Sequence, residues 1–304
     1  MMEVRDRGEL STEGVHPDGA QLDRLPTLEA VDLFLAADRR ALDAVAGARA
    51  EIAAAVDLVA KRLADGGRLF YAGAGTSGRL AALDAAECPP TFQSDPRQVQ
   101  ALVAGGARAL TRAVEGAEDD AGAAAAELRA RGLDARDVVL GISAGGTTPF
   151  VRGALAFARE TGAATVFLAC VPRAQCPDEA DVSIRVETGP ELLAGSTRLK
   201  AGTATKLVLN TISTLVMARL GKVYEGLMVD VDTRASAKLV DRGERLVMRL
   251  AVVGRERARA LLVAAEGQVK LAVLMERAGL DLADVAGARA RLASAGGDLR
   301  RALG

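Results

Sequence analysis

Apolar residues recur at helical spacing from Thr27 to about Ala64: Leu28, Val31, Leu35 and Leu42, then Ile52, Val56, Val59 and Leu63. Intervals of three and four keep such residues on one helix face, so the spacing predicts two helices here. Between residues 66 and 220 the pattern changes. Short apolar runs at Arg68–Ala72, Val99–Val103, Val138–Ile142, Ala164–Cys170 and Val182–Val186 read as strands. Helical patterns fall near Ser77–Ala86, Arg108–Val114, Ala121–Arg131, Pro149–Thr161 and Lys200–Leu220. Strand, glycine-rich turn, helix, strand is the order of an α/β protein, a three-layer fold with helices on both faces of a parallel sheet. In such sheets ligands sit at the carboxyl ends of the strands.

The flanks read differently. Residues 1–27 are polar and punctuated by Pro and Gly, as in an extended arm. After about Arg234 the strands stop, and Gly254, Gly267, Gly279 and Gly296–Gly297 divide an Ala/Leu/Arg-rich stretch into short helices. The expected organisation is an arm with helices over 1–65, a sheet domain over 66–233 and a small all-helical domain over 234–304.

Composition removes several chemistries. The chain has 304 residues, 39 basic against 40 acidic, so no basic excess points to nucleic acid or an acidic membrane. With no Trp, two Tyr and six Phe, base-stacking platforms are not expected. The one histidine, His16, stands in the polar arm, and a Ser-His-Asp or Cys-His system has no base unless His16 folds back into a site. Cys88, Cys170 and Cys176 show no metal-ligand spacing, so no metal is expected, and three unpaired thiols fit a reducing compartment. No stretch is long and apolar enough to span a membrane, and the first residues lack a signal-peptide core. A cytoplasmic protein is expected. Proton chemistry in such a chain falls to carboxylates, lysines or tyrosine.

Tyr71-Ala-Gly-Ala-Gly-Thr-Ser-Gly-Arg79 directly follows a strand. Its small residues let backbone approach an anion, the next helix offers unpaired N–H groups, and Thr76 and Ser77 add hydroxyls beside Gly75. A tight turn packing helix on strand would use the same glycines. A second such loop, Gly141-Ile-Ser-Ala-Gly-Gly-Thr-Thr-Pro149, carries Ser143 and Thr148 and opens a helix with proline. The two read as two edges of one phosphate site. A third, Gly195-Ser-Thr-Arg-Leu-Lys-Ala-Gly-Thr203, brings Ser196 and Lys200, and equally reads as a charged loop capping a helix. Glu87 precedes Cys88-Pro89-Pro90, expected to stop its helix. A carboxylate near a helix C-terminus is disfavoured by the dipole, an environment suited to a general acid. Glu115, Glu118, Asp119 and Asp120 crowd a second acidic segment, also readable as a helix N-terminus.

The segments YAGAGTSGRLAALDAAECPPTF, AVEGAED, GSTRLKAGTATKLVLNTIST and LMVDV, with Thr12-Glu13, Pro17 and Leu22-Asp23 in the arm, resemble the N-acetylmuramic acid 6-phosphate etherase family. The likeness covers nearly the whole chain. That family belongs to the sugar isomerase (SIS) domain group, with a five-stranded parallel sheet between helices, and is similar to the glucokinase regulatory protein. The resemblance implies loss of D-lactate from carbon 3 of N-acetylmuramic acid 6-phosphate and addition of water, without metal or nucleotide. It implies Glu87 as the acid and Glu118 as the base at carbon 2, with Gly75, Thr76, Ser77, Ser143, Thr148, Ser196 and Lys200 on the sugar phosphate. A homodimer is implied, with sites near the subunit boundary. Two departures stand out. The family's A-S-G-R-T-P loop is Ala144-Gly145-Gly146-Thr147-Thr148-Pro149 here, and the asparagine expected near Ser236 is missing. A non-catalytic sugar-phosphate sensor, or an isomerase or lyase acting on a related sugar phosphate, are the alternatives.

Overall fold

The computed structural model describes residues 7–231, 233 and 237–304, so Ser236 and the missing asparagine lie outside the described residues. The chain divides into two compact units, residues 1–86 with 97–213 and residues 87–96 with 214–304.

In the first unit, α1 (Thr27–Gly47) and α2 (Arg49–Ala64) precede the sheet. Then come β1 (Leu69–Gly73), α3 (Gly75–Phe92), β2 (Val99–Val103), α4 (Ala121–Ala130), β3 (Val138–Ile142), α5 (Pro149–Glu160), β4 (Ala164–Ala169), β5 (Val182–Arg185) and α6 (Lys200–Arg219). The five strands are all parallel, in the order β2-β1-β3-β4-β5. β1, β3 and β4 are buried at every position, which is why they read as continuous apolar runs rather than alternations. Alternate residues serve opposite faces. Phe70, Ala72, Val139 and Phe167 join Leu128, Phe150 and Val151 in one core, which also takes Leu10 from the arm. Each of the Phe, Leu and Val side chains among them contributes about 1.5–3 kcal/mol.

Two expected helices differ. The Arg108–Val114 pattern yields a 3-10 turn, Gly106–Leu110, instead of an α-helix. Gly105, at φ +85°, has Val114 folded back on it: a Cβ there would lie 3.0 Å from the Val114 Cβ. That return path breaks the helix. Conversely, α3 runs through Pro89 and Pro90 to Phe92. The prolines have no N–H for the Ala85 and Ala86 carbonyls, a cost normally near 3 kcal/mol. Cys88 and Phe92, one turn apart, are both buried on this stretch. Glu87 therefore stands inside the helix, not at its end.

Among the described residues, the second unit contains the end of α3, the end of α6, a short hairpin of β6 (Val223–Tyr224) and β7 (Leu227–Met228), and five α-helices. These are α7 (Ala237–Ala251), α8 (Arg255–Ala264), α9 (Val269–Arg277), α10 (Val285–Ser294) and α11 (Leu299–Leu303). α9 is buried along nearly its whole length and forms the centre of this core. Among the described residues, no helix is long and apolar enough to cross a membrane.

Candidate active site

Strand order places the site. β1 turns outward to β2 on one side while β3 pairs on the other, so the helices that follow β1 and β3 leave the sheet in opposite directions and open a crevice. Gly73 and Ile142 are register partners, so the loops that follow them start level with each other.

The first loop is almost no loop. α3 starts at Gly75, whose φ of +53° turns the chain sharply off the strand. Gly78 then presses the first turn onto the strand end, since a Cβ there would lie 2.6 Å from the Gly73 carbonyl oxygen. The glycines therefore serve both readings of the motif: they pack helix on strand, and in doing so bring a helix N-terminus with Thr76 and Ser77 to the sheet edge. In the second loop the Ser143 and Thr148 hydroxyls are 2.8 Å apart, and Pro149 opens α5. The loop is braced from beneath. Arg152 Nε donates to the Gly146 carbonyl at 2.8 Å while its guanidinium lies over the Phe167 ring at 4.7 Å.

The third loop touches the first: a Cβ on Gly202 would lie 3.6 Å from Thr76 Cγ2. Ser196 is half-buried there. Lys200 is placed differently from the expectation of a phosphate contact. Its side chain is buried, and its ammonium donates to the Thr188 and Pro190 carbonyls at 3.1 and 2.7 Å. Burial pulls that ammonium below the usual lysine range, against the attraction of Glu191. Glu191 also fills the N-terminus of α6, accepting from the N–H groups of Lys200 and Ala201.

Glu118 lies exposed on a 3-10 turn, Ala117–Asp119, after Gly116 at φ +74°. It lines a cleft of about 220 Å³ with Ala74, Gly75, Arg79, Val114 and Glu115. Of the acidic segment, Asp120 is spent as the cap of α4, accepting from Gly122 and Ala123 N–H. Glu87 is exposed and stands twelve residues along α3 from Gly75, about 18 Å of helix rise. The fold thus gathers Gly75, Thr76, Ser77, Glu118, Ser143 and Thr148 at one end of the sheet.

His16 is not a base at this site. It is buried as the cap of a 3-10 turn, Pro17–Gln21, with Nδ1 accepting from Asp18 N–H. Cys170, wholly buried, has its thiol pushed up to about 12 by desolvation and is no nucleophile. Two residues lay in the quoted motifs without a role. Asp84, buried on α3, accepts from Tyr71 Oη, Asn210 Nδ2 and Ser213 Oγ, tying together strand β1 and helices α3 and α6. Arg79 is the other.

Comparison with known proteins decides the family. N-acetylmuramic acid 6-phosphate etherase from Gloeobacter violaceus is 57% identical over 298 residues, covering 98% of this chain and 96% of its own. The chain belongs to the N-acetylmuramic acid 6-phosphate etherase family. The etherase of that name from a Synechocystis strain is 52% identical over 300 residues, covering 99% of this chain and 97% of its own. Residues 51–159 match the glucokinase regulatory protein N-terminal SIS domain. A phosphoheptose isomerase from Francisella tularensis shares the fold, with a TM-score of 0.50 at 18% identity, covering 64% of this chain and 100% of its own.

Proposed function

We propose that the chain cleaves the D-lactyl ether of N-acetylmuramic acid 6-phosphate to give N-acetylglucosamine 6-phosphate and D-lactate. The observation that carries this is the 57% identity to an etherase along 98% of the chain. With the sugar open, the aldehyde at carbon 1 acidifies the proton on carbon 2. Glu118 removes that proton, the electron pair forms the carbon 2–carbon 3 double bond, and the carbon 3–oxygen bond breaks. Glu87 protonates the departing lactyl oxygen. Water then adds at carbon 3 and carbon 2 regains a proton, so the sum is substrate plus water. The reaction is redox-neutral, and two carboxylates supply its proton transfers.

The phosphate falls to Thr76, Ser77, Ser143 and Thr148, with Gly75 and the N-termini of α3 and α5 supplying backbone donors. Ser196 faces the substrate from the third loop, and Lys200 acts by holding that loop's shape. A sheet domain over 66–233 binds the sugar phosphate, and a helical domain over 234–304 follows it. The enzyme works in the cytoplasm as a homodimer with its sites at the subunit boundary. One feature supports pairing, and it lies on α1 rather than on α6. The apolar face of α6 is already buried within the chain, at Ala201, Ala204, Val208, Leu209, Ile212 and Val216. α1 instead exposes Leu28, Val31, Leu35 and Leu42 along one side while burying Ala37 and Ala41 on the other. A second copy covers that stripe and brings its Glu87 to the site.

Incubation with N-acetylmuramic acid 6-phosphate and an assay for D-lactate test the reading. Release of D-lactate supports it. Tight binding with no turnover would favour the sugar-phosphate sensor.

A further inference from the structure

Arg79 shares the Glu118 cleft, one helical turn on from Thr76, and the steps above give it no part. Among the described residues its guanidinium makes one hydrogen bond, donated to the Arg112 carbonyl at 3.2 Å. Glu115 and Glu118 line the same cleft, yet neither closes an ion pair with it. A half-buried guanidinium with most of its five donors unspent, beside the candidate base, is equipped for an anionic ligand.

We infer that Arg79 is the specificity residue that receives the lactyl carboxylate of the substrate, an assignment that rests on the etherase reading. The substrate has two anionic ends, a phosphate on carbon 6 and a carboxylate on the ether at carbon 3. The sheet edge is divided the same way. The hydroxyl-rich loops follow β1 and β3, whereas the Arg79 cleft is lined by Ala74 after β1 and Ala104 after β2 and by no residue of the second loop. Arg79 is the one cation among the residues lining that cleft. Guanidinium is planar and pairs with a carboxylate through two parallel N–H bonds, which fixes direction as well as charge. Glu118 acts at carbon 2 and the lactyl group hangs from carbon 3, the adjacent carbon. One cleft holding both the base and the carboxylate's partner sets the breaking carbon–oxygen bond against the proton being removed.

The test compares two reactions in the whole protein. One is lactate release from N-acetylmuramic acid 6-phosphate. The other is deuterium exchange at carbon 2 of N-acetylglucosamine 6-phosphate, which has no lactyl carboxylate. Arg79→Gln is expected to lower kcat/KM for lactate release about tenfold to a hundredfold, mainly through KM, with a far smaller effect on exchange. Arg79→Lys keeps the charge without the fork and is expected to fall between. Parallel loss of both reactions would make Arg79 a general or structural residue and overturn the assignment, as would unchanged lactate release. Wild-type protein that releases no lactate would overturn the etherase reading itself, and this inference with it.

Discussion

Ser143 at the end of β3 and Thr148 at the mouth of α5 hold their hydroxyls 2.8 Å apart, so the second loop is closed by its own polar side chains. The hydrogen bond holds the two oxygens together beside the end of β3, near which the phosphate is proposed to lie. Ser143→Ala removes one phosphate contact and frees the other hydroxyl to turn away. Binding of the phosphorylated sugar is expected to weaken by about 1.5–3 kcal/mol, measured calorimetrically. The unphosphorylated sugar should lose almost nothing. Equal losses would detach these hydroxyls from the phosphate.

The buried Asp84 predicts a different kind of loss. Its carboxylate accepts from Tyr71, Asn210 and Ser213 at 2.8, 2.6 and 3.0 Å. Asp84→Ala strands these donors in the interior and is expected to cost about 2–4 kcal/mol, read from the urea midpoint. Asp84→Asn keeps one acceptor oxygen for Asn210 and Ser213 and should cost less. If alanine were as well tolerated as asparagine, the network would contribute nothing.

Much of this arrangement was legible in the sequence, for a physical reason. Strands buried on both faces leave uninterrupted apolar runs, and glycine-rich turns mark where each helix must meet a strand closely, as Gly78 does at Gly73. The order of those runs fixed the α/β class. What stayed hidden depends on distant pairings. Nothing local says that Val114 folds onto Gly105, and without that fold Arg79 and Glu118 have no common cleft. Pro89-Pro90 reads locally as a stop, yet α3 continues through it to Phe92, with Cys88 and Phe92 buried. Lys200 reads as a free cation in a loop, and only the fold shows its ammonium on the Thr188 and Pro190 carbonyls.

His16 predicts how stability changes with pH. Burial, then the nearby Lys200 cation, hold its imidazole below the ordinary value of 6.5. As pH falls from about 6.5, the unfolded chain takes up a proton that the folded chain refuses. Stability is therefore fully present above that pH and is lost as pH drops toward the lower folded value. Protonation would also cost Nδ1 its bond from Asp18 N–H and set a cation 3.4 Å from Arg40. Thermal melts from pH 7 to pH 5 should show the decline, and His16→Asn, which can still cap the turn, should flatten it. An unchanged slope in the variant would assign the decline to other groups.

A shared site makes the two glutamates separable in trans. If Glu87 of one copy serves the Glu118 cleft of its partner, Glu87→Gln and Glu118→Gln are each inactive alone. Mixed after dissociation and reassociation, they form hybrids with one intact site. Lactate release should then recover to about a quarter of wild type, since half the dimers are hybrids and each has one working site of two. No recovery from a verified hybrid would place both carboxylates in one chain.

The division of labour between Glu87 and Glu118 is the sharpest prediction. One proton must leave carbon 2 and one must reach the lactyl oxygen, and the buried His16 is occupied in capping the arm. General acid or base assistance is typically worth about 10²–10⁴-fold, so either Glu→Gln change should nearly abolish lactate release. The variants should still part company on the product sugar in deuterated water. Glu87→Gln retains the base and should wash deuterium into carbon 2, whereas Glu118→Gln should not. A reversed pattern would exchange the two roles. Full lactate release from both variants would remove the carboxylates from the mechanism, because losing a true acid or base costs far more than no change.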